Sequence, residues 1–161
     1  MNGNPPSLGS SIFSYAWMFV LVSVLIGVIL WALETYAAII IEGTSVGWIP
    51  TIVTAMQVGQ RYGKLAGVRP SGGHAWAAGL GFMVVNIVLG LGGLALAFLA
   101  MGGTLPSYDD ALRQSGISQS DLPLLLGVVG GVLVLMWVLL RFAFSFGARQ
   151  GIKMAERATK A

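Results

Sequence analysis

Few side chains in this sequence combine reactive chemistry with a setting in which it can be used. Glu34 is the sharpest candidate, following a long uncharged run and flanked by Trp31 and Tyr36 in VILWALETYA. A first membrane span drawn over 12–33 leaves its carboxylate at an interface. A span drawn over 20–41 puts it in hydrocarbon, where an ionised acid costs about 3 kcal/mol or more and is therefore protonated, paired or functional. Glu34 is thus the candidate proton site, and a small proton-coupled transporter or channel is the alternative function it supports.

Asn86 sits in the middle of an apolar run. A side-chain amide in that setting needs a partner, and Gln57 and Thr54 are the candidates for a helix–helix hydrogen bond worth about 1 kcal/mol. In TLPSYDDALRQSG, Asp109 and Asp110 suit the first turn of a short interfacial helix with Ser107 as N-cap and Gly116 as its stop. Two carboxylates without further oxygens make a poor metal cage. His74 lies beside Ser71 in a loop, a place for a helix cap or a surface role.

Enzyme templates are missing. The chain has no cysteine, which excludes disulfides and thiolate chemistry, and one histidine, which excludes a multi-histidine metal centre or a bis-histidine haem. No glycine-rich phosphate loop follows a strand, and no Ser/His/Asp set shares a face. No catalytic residue, metal or cofactor is expected.

The elements that must position these residues follow from composition. Of 161 residues, 56% are hydrophobic and 9% charged, against about a quarter charged in soluble domains. Such a chain cannot cover a water-facing surface, and it is too apolar to be disordered. The expected fold is all-α, a polytopic four-helix transmembrane bundle in a single domain. At about 20 residues per crossing, the spans fall near 12–33, 45–62, 76–101 and 122–140. The second is the weakest, with Thr51, Thr54, Gln57 and Gln60 inside it and Pro50 in its first turn. The first has no preceding basic residue and too long an apolar run for a signal peptide, so it stays as an anchor. Trp17, Trp31, Trp48, Trp76 and Trp137, with Tyr15, Tyr36 and Tyr62, lie where interfacial aromatic belts are expected.

Four spans put both termini and the 62–75 connection on one side. Every basic residue except Arg113 then falls there, and every acid except Glu156 falls on the other. The positive-inside rule makes the basic side cytoplasmic, so Arg61, Lys64, Arg69, Arg149, Lys153 and Arg157 are read as topology signals that also meet lipid headgroups. The positive charge therefore reports topology and not nucleic-acid binding. Residues 102–121 become a periplasmic loop, and 147–161 a basic cytoplasmic tail continuing the last helix. The expected location is the bacterial inner membrane.

The stretch AMQVGQRYGK, followed by GVRPS and Trp76 opening the next span, resembles a family of small bacterial inner-membrane proteins. That family is named after a locus tag, has four predicted spans and has no assigned activity. The pattern is carried by Gln60, Arg61, Tyr62, Gly67, Arg69, Pro70 and Trp76; Gly72, Gly73 and His74 stand where the family has an acidic residue. The resemblance implies topology and no chemistry. VILWALETYA also resembles, faintly, the first span of the small multidrug transporters, which carries an essential glutamate.

Small residues mark the faces on which lipid-embedded helices pack. Ala55, Gly59 and Gly63 recur every four residues, as do Gly93 with Ala97 and Gly127 with Gly131. The expected function is a non-enzymatic accessory or scaffold subunit, packing against itself or a larger membrane complex such as a respiratory or photosynthetic assembly. Its partners are membrane lipids and other membrane subunits or copies of itself.

Overall fold

The computed structural model describes residues 6–37, 48–100, 102 and 119–160. Among them the chain is all-α, with helices α1 (Leu8–Ala37), α2 (Trp48–Ala66), α3 (Gly72–Ala100) and α4 (Leu122–Lys160), the last preceded by a 3-10 turn over Gln119–Asp121. The expected helix over 107–116, with Ser107, Asp109, Asp110, Arg113 and Gly116, lies outside the described residues.

Local chemistry sets the helix ends. Ser7 accepts the Ser10 amide at 3.3 Å to cap α1. Pro50 enters α2 in its first turn, where no intrahelical N–H bond is lost. Gly67 ends α2 in the left-handed region, with φ at 67° and its amide on the Gly63 carbonyl at 3.0 Å. Ser71 then caps α3 by accepting the His74 amide at 3.3 Å. The connection expected over 62–75 is thereby shortened to 67–71, because a glycine stop and a serine start sit that close together. Arg61 is helical, as the 45–62 span expected, and Lys64 is helical too and not part of a loop.

The helices alternate in direction. Ile12 lies over Gly81 while Tyr15 meets Phe82 and Asn86, so α1 and α3 run parallel. Gly59 and Gly63 face Phe144 and Ala148 in the same order, so α2 and α4 run parallel as well. Tyr15 against Thr51 and Ser14 against Arg61 make α1 and α2 antiparallel. The N-terminus of α1, the α2–α3 turn and the C-terminal part of α4 therefore share one end, which also collects Arg61, Lys64, Arg69, Arg149, Lys153 and Arg157.

Among the described residues, packing is confined to that basic end. The buried apolar residues are Tyr15, Ala55, Val58, Tyr62, Ala75, Ala78, Phe82, Leu140, Phe144 and Ala148. From the level of this cluster α1, α3 and α4 extend about 27–33 Å toward the other end, whereas the described part of α2 extends about 15 Å. Beyond α2 the three longer helices expose apolar side chains all round, Val28, Leu94 and Val128 among them. A helix apolar on every face is a core or membrane helix.

Among the described residues three helices, α1, α3 and α4, are long and apolar enough to cross a membrane. Helix α2 is not one of them. It is instead the helix most enclosed by the others, with Thr51 and Thr54 buried beside Ala55, Val58, Gly59, Tyr62 and Gly63. Helix α4, about 58 Å long at 1.5 Å per residue, is longer than the roughly 30 Å hydrocarbon layer.

Candidate functional site

The closest approach between elements is the seam of α2 and α4. A Cβ at Gly59 would strike the Phe144 carbonyl oxygen, and one at Gly63 the Ala148 carbonyl oxygen. Reciprocally, a Cβ at Gly147 would strike the Met56 carbonyl oxygen, and one at Gly151 the Gln60 carbonyl oxygen. Two Gly-xxx-Gly faces therefore interlock in parallel, close enough for Cα–H groups to meet carbonyls. Gln60 Nε2 donates to Gln150 Oε1 at 2.8 Å and pairs two amides beside the seam. Ala55 continues it, fully buried.

Gly147 and Gly151 fall in the segment read from sequence as a basic tail. The segment continues the last helix, as expected, and its first part is packed, with Gly147, Ala148 and Gly151 buried and Arg149 exposed between them. Their spacing of four was visible in SFGARQG, but the neighbouring charges hid it. The other small-residue pairs lie elsewhere. Gly93, Ala97, Gly127 and Gly131 are exposed, and a Cβ added at any of the three glycines would meet nothing within 4 Å.

A second cluster joins α1, α2 and α3. Asn86 Nδ2 donates to the Tyr15 hydroxyl at 2.9 Å, and that hydroxyl's proton is shared between Asn86 Oδ1 at 3.0 Å and the Thr51 carbonyl at 3.4 Å. The Asn86 partner is thus Tyr15 and neither Gln57 nor Thr54. Tyr15 was read as an interfacial belt residue, yet it is 0% exposed and stacks on Phe82 at 4.2 Å. Tyr62 likewise turns inward. Gln57 is half-buried, and the Thr54 hydroxyl is buried without a partner.

At the start of α3 aromatic and cationic groups converge. The Arg141 guanidinium lies 4.1 Å over the Trp76 ring, a cation–π geometry. Trp137 packs edge-on to Trp76 at 4.9 Å and donates its indole N–H to the Trp76 carbonyl at 3.0 Å. Gly79 makes room for this, since a Cβ there would sit 3.1 Å from Arg141 N and 3.2 Å from Trp137 O. His74 belongs to the first turn of α3 and not to a loop, its ring 5.2 Å from Tyr62 and 6.2 Å from Phe144. Arg69 and Arg149 flank Arg141 around the same helix start.

The remaining topology residues are solvent-facing. Arg61 reaches Ser14 Oγ at 3.5 Å, and Lys64, Lys153 and Arg157 are exposed. Glu34 belongs to α1, but its side chain lies outside the described residues. Among the described residues no three His, Cys, Asp or Glu side chains gather as metal ligands would.

An all-α chain with three such apolar helices has the character of a membrane protein. No protein-family model, curated protein or solved structure matches it.

Proposed function

We propose that the chain is a four-span protein of the bacterial inner membrane, with both termini cytoplasmic, acting as a non-enzymatic accessory or scaffold subunit. The parallel run of α1 and α3 supports four crossings. If both span, the chain between them must cross back, and α2 is the described helix of that return. Enclosure by the other helices explains how α2 tolerates Thr51, Thr54, Gln57 and Gln60, since polar groups in a span are kept off the lipid. Collection of the basic residues at one end supports a cytoplasmic assignment for it. The resemblance of residues 55–76 to small four-span inner-membrane proteins points the same way.

One observation carries the subunit reading: among the described residues, the bundle is closed at its basic end and open at the other. Only 6% of the most apolar windows of α1 and α3, and none of that of α4, is buried within the chain. The open half bears the unused small-residue faces of Gly93 with Ala97 and Gly127 with Gly131. Close backbone approach is what such faces offer, and lipid alone does not require it. A second copy of the chain, or a helix of a larger complex, completes the bundle there.

The test is co-purification in mild detergent with Gly93→Ile and Gly127→Ile, positions with open space for a side chain within the chain. Wild type is expected to bring down a reproducible partner or itself, and the variants to lose it while keeping their melting temperature. A wild-type chain that purifies alone and monomeric overturns the reading.

A further inference from the structure

Three depressions meet at Arg149. An apolar groove of ≈ 430 Å³ between α2 and α4 is walled by Ile52, Met56, Leu139, Phe142 and Phe146 and ends at Arg149. A polar basin of ≈ 470 Å³ continues from Phe146 and Arg149 to Arg69 and Lys153. A smaller recess of ≈ 170 Å³ joins Arg69 and Arg149 to Arg141 and to Gly72 in the first turn of α3. Across a single side chain, hydrocarbon walls give way to a cluster of cations.

Those cations are uncompensated. Among the described residues none of Arg69, Arg141, Arg149 and Lys153 has a carboxylate within ion-pair distance, and Glu156 is the acid that lines the basin. The Arg141 Nε is buried with no acceptor, a donor that costs stability until something accepts from it. Helix α3 has no acid in its first turn, so its free amides and positive dipole end add to the same field.

We infer that this composite groove binds one anionic phospholipid. Its phosphate is held by Arg69, Arg141 and Arg149 at the start of α3, and one acyl chain lies along Ile52, Met56, Leu139, Phe142 and Phe146. Guanidinium forks match phosphate oxygens two at a time, and the groove is of a size that takes a chain-like ligand. A free phosphate would satisfy the arginines and leave the apolar wall empty. A zwitterionic lipid would bring its own cation into a cationic basin. The inference rests on the chain being membrane-embedded, because the apolar half of the groove needs lipid around it.

The experiment is native mass spectrometry of the purified chain in detergent, with phosphatidylglycerol or phosphatidylcholine added at equal concentration. One phosphatidylglycerol is expected to be retained at least tenfold over phosphatidylcholine, and Arg69→Gln with Arg149→Gln to abolish that preference. Both positions are exposed, and unchanged helicity verifies the fold. As a second variant, Phe142→Ser should weaken retention of the lipid without altering binding of inorganic phosphate. Equal retention of the two lipids, full retention in the arginine double variant, or displacement of the lipid by millimolar inorganic phosphate overturns the inference. Failure of the membrane reading looks different: the chain would then be recovered without detergent.

Discussion

The hydroxyl of Tyr15 on α1 and the amide of Asn86 on α3 meet at 2.9 Å, between two helices that run in the same direction. The contact ties the first and third helices together beside the buried face of α2, and it is a hydrogen bond between side chains inside an otherwise apolar bundle. Tyr15→Phe keeps the ring stacked on Phe82 and removes only the hydroxyl. A loss of about 0.6–1.7 kcal/mol is expected, the range of side-chain bonds in membrane bundles, read as a lowered melting temperature in detergent. Asn86→Ala made on top of Tyr15→Phe should cost less than it does in wild type. Equal costs would mean the pair is not coupled.

The interlocked glycines predict a sharp asymmetry along α4. Gly147→Ala drives a methyl into the Met56 carbonyl, which is backbone and cannot swing aside, so α2 and α4 must separate; a loss of several kcal/mol is expected, about 2 or more. Gly127→Ala meets open space and gains helix propensity, up to about 1 kcal/mol. Thermal melts of the two variants check this. Similar melts for both would place the seam elsewhere.

The alternation of helix directions predicts where reporters will appear. A cytoplasmic reporter fused after Lys160, or inserted at Gly73, should be active, and a periplasmic one inserted within 103–118 should be active instead. An active periplasmic reporter after Lys160 would reverse the orientation. A cytoplasmic signal from 103–118 would remove the α3 crossing.

Glu34→Gln separates the two functional classes. For a scaffold, removing the charge leaves membrane insertion and partner recovery unchanged. Loss of proton-driven export of a cationic dye in the variant, with assembly intact, would favour a transporter.

Sequence alone determined that apolar helices would dominate, because charge is too scarce to coat a soluble surface. It also located α1, α3 and the 122–140 half of α4, each a long uncharged or nearly uncharged run that needs no partner to be recognised. Helix α2 was legible as a helix with polar interruptions, and the sequence could not say what would shelter Thr51 and Thr54. Tertiary structure decided that, by packing α2 against α1 and α4. It also decided which small residues touch. Gly59 and Gly151 are separated by most of the chain, and a spacing of four says a face is flat without saying what lies on it. The Asn86 partner was hidden for a related reason: Tyr15 has the composition of a belt residue, and only its position opposite α3 turns the hydroxyl inward. Likewise Arg69 lies in the α2–α3 turn while Arg141 and Arg149 lie on α4, and only the packing of α4 beside the start of α3 makes them one site. Burial propensity is a property of each residue, but pairing depends on register between helices, and register is set by the fold.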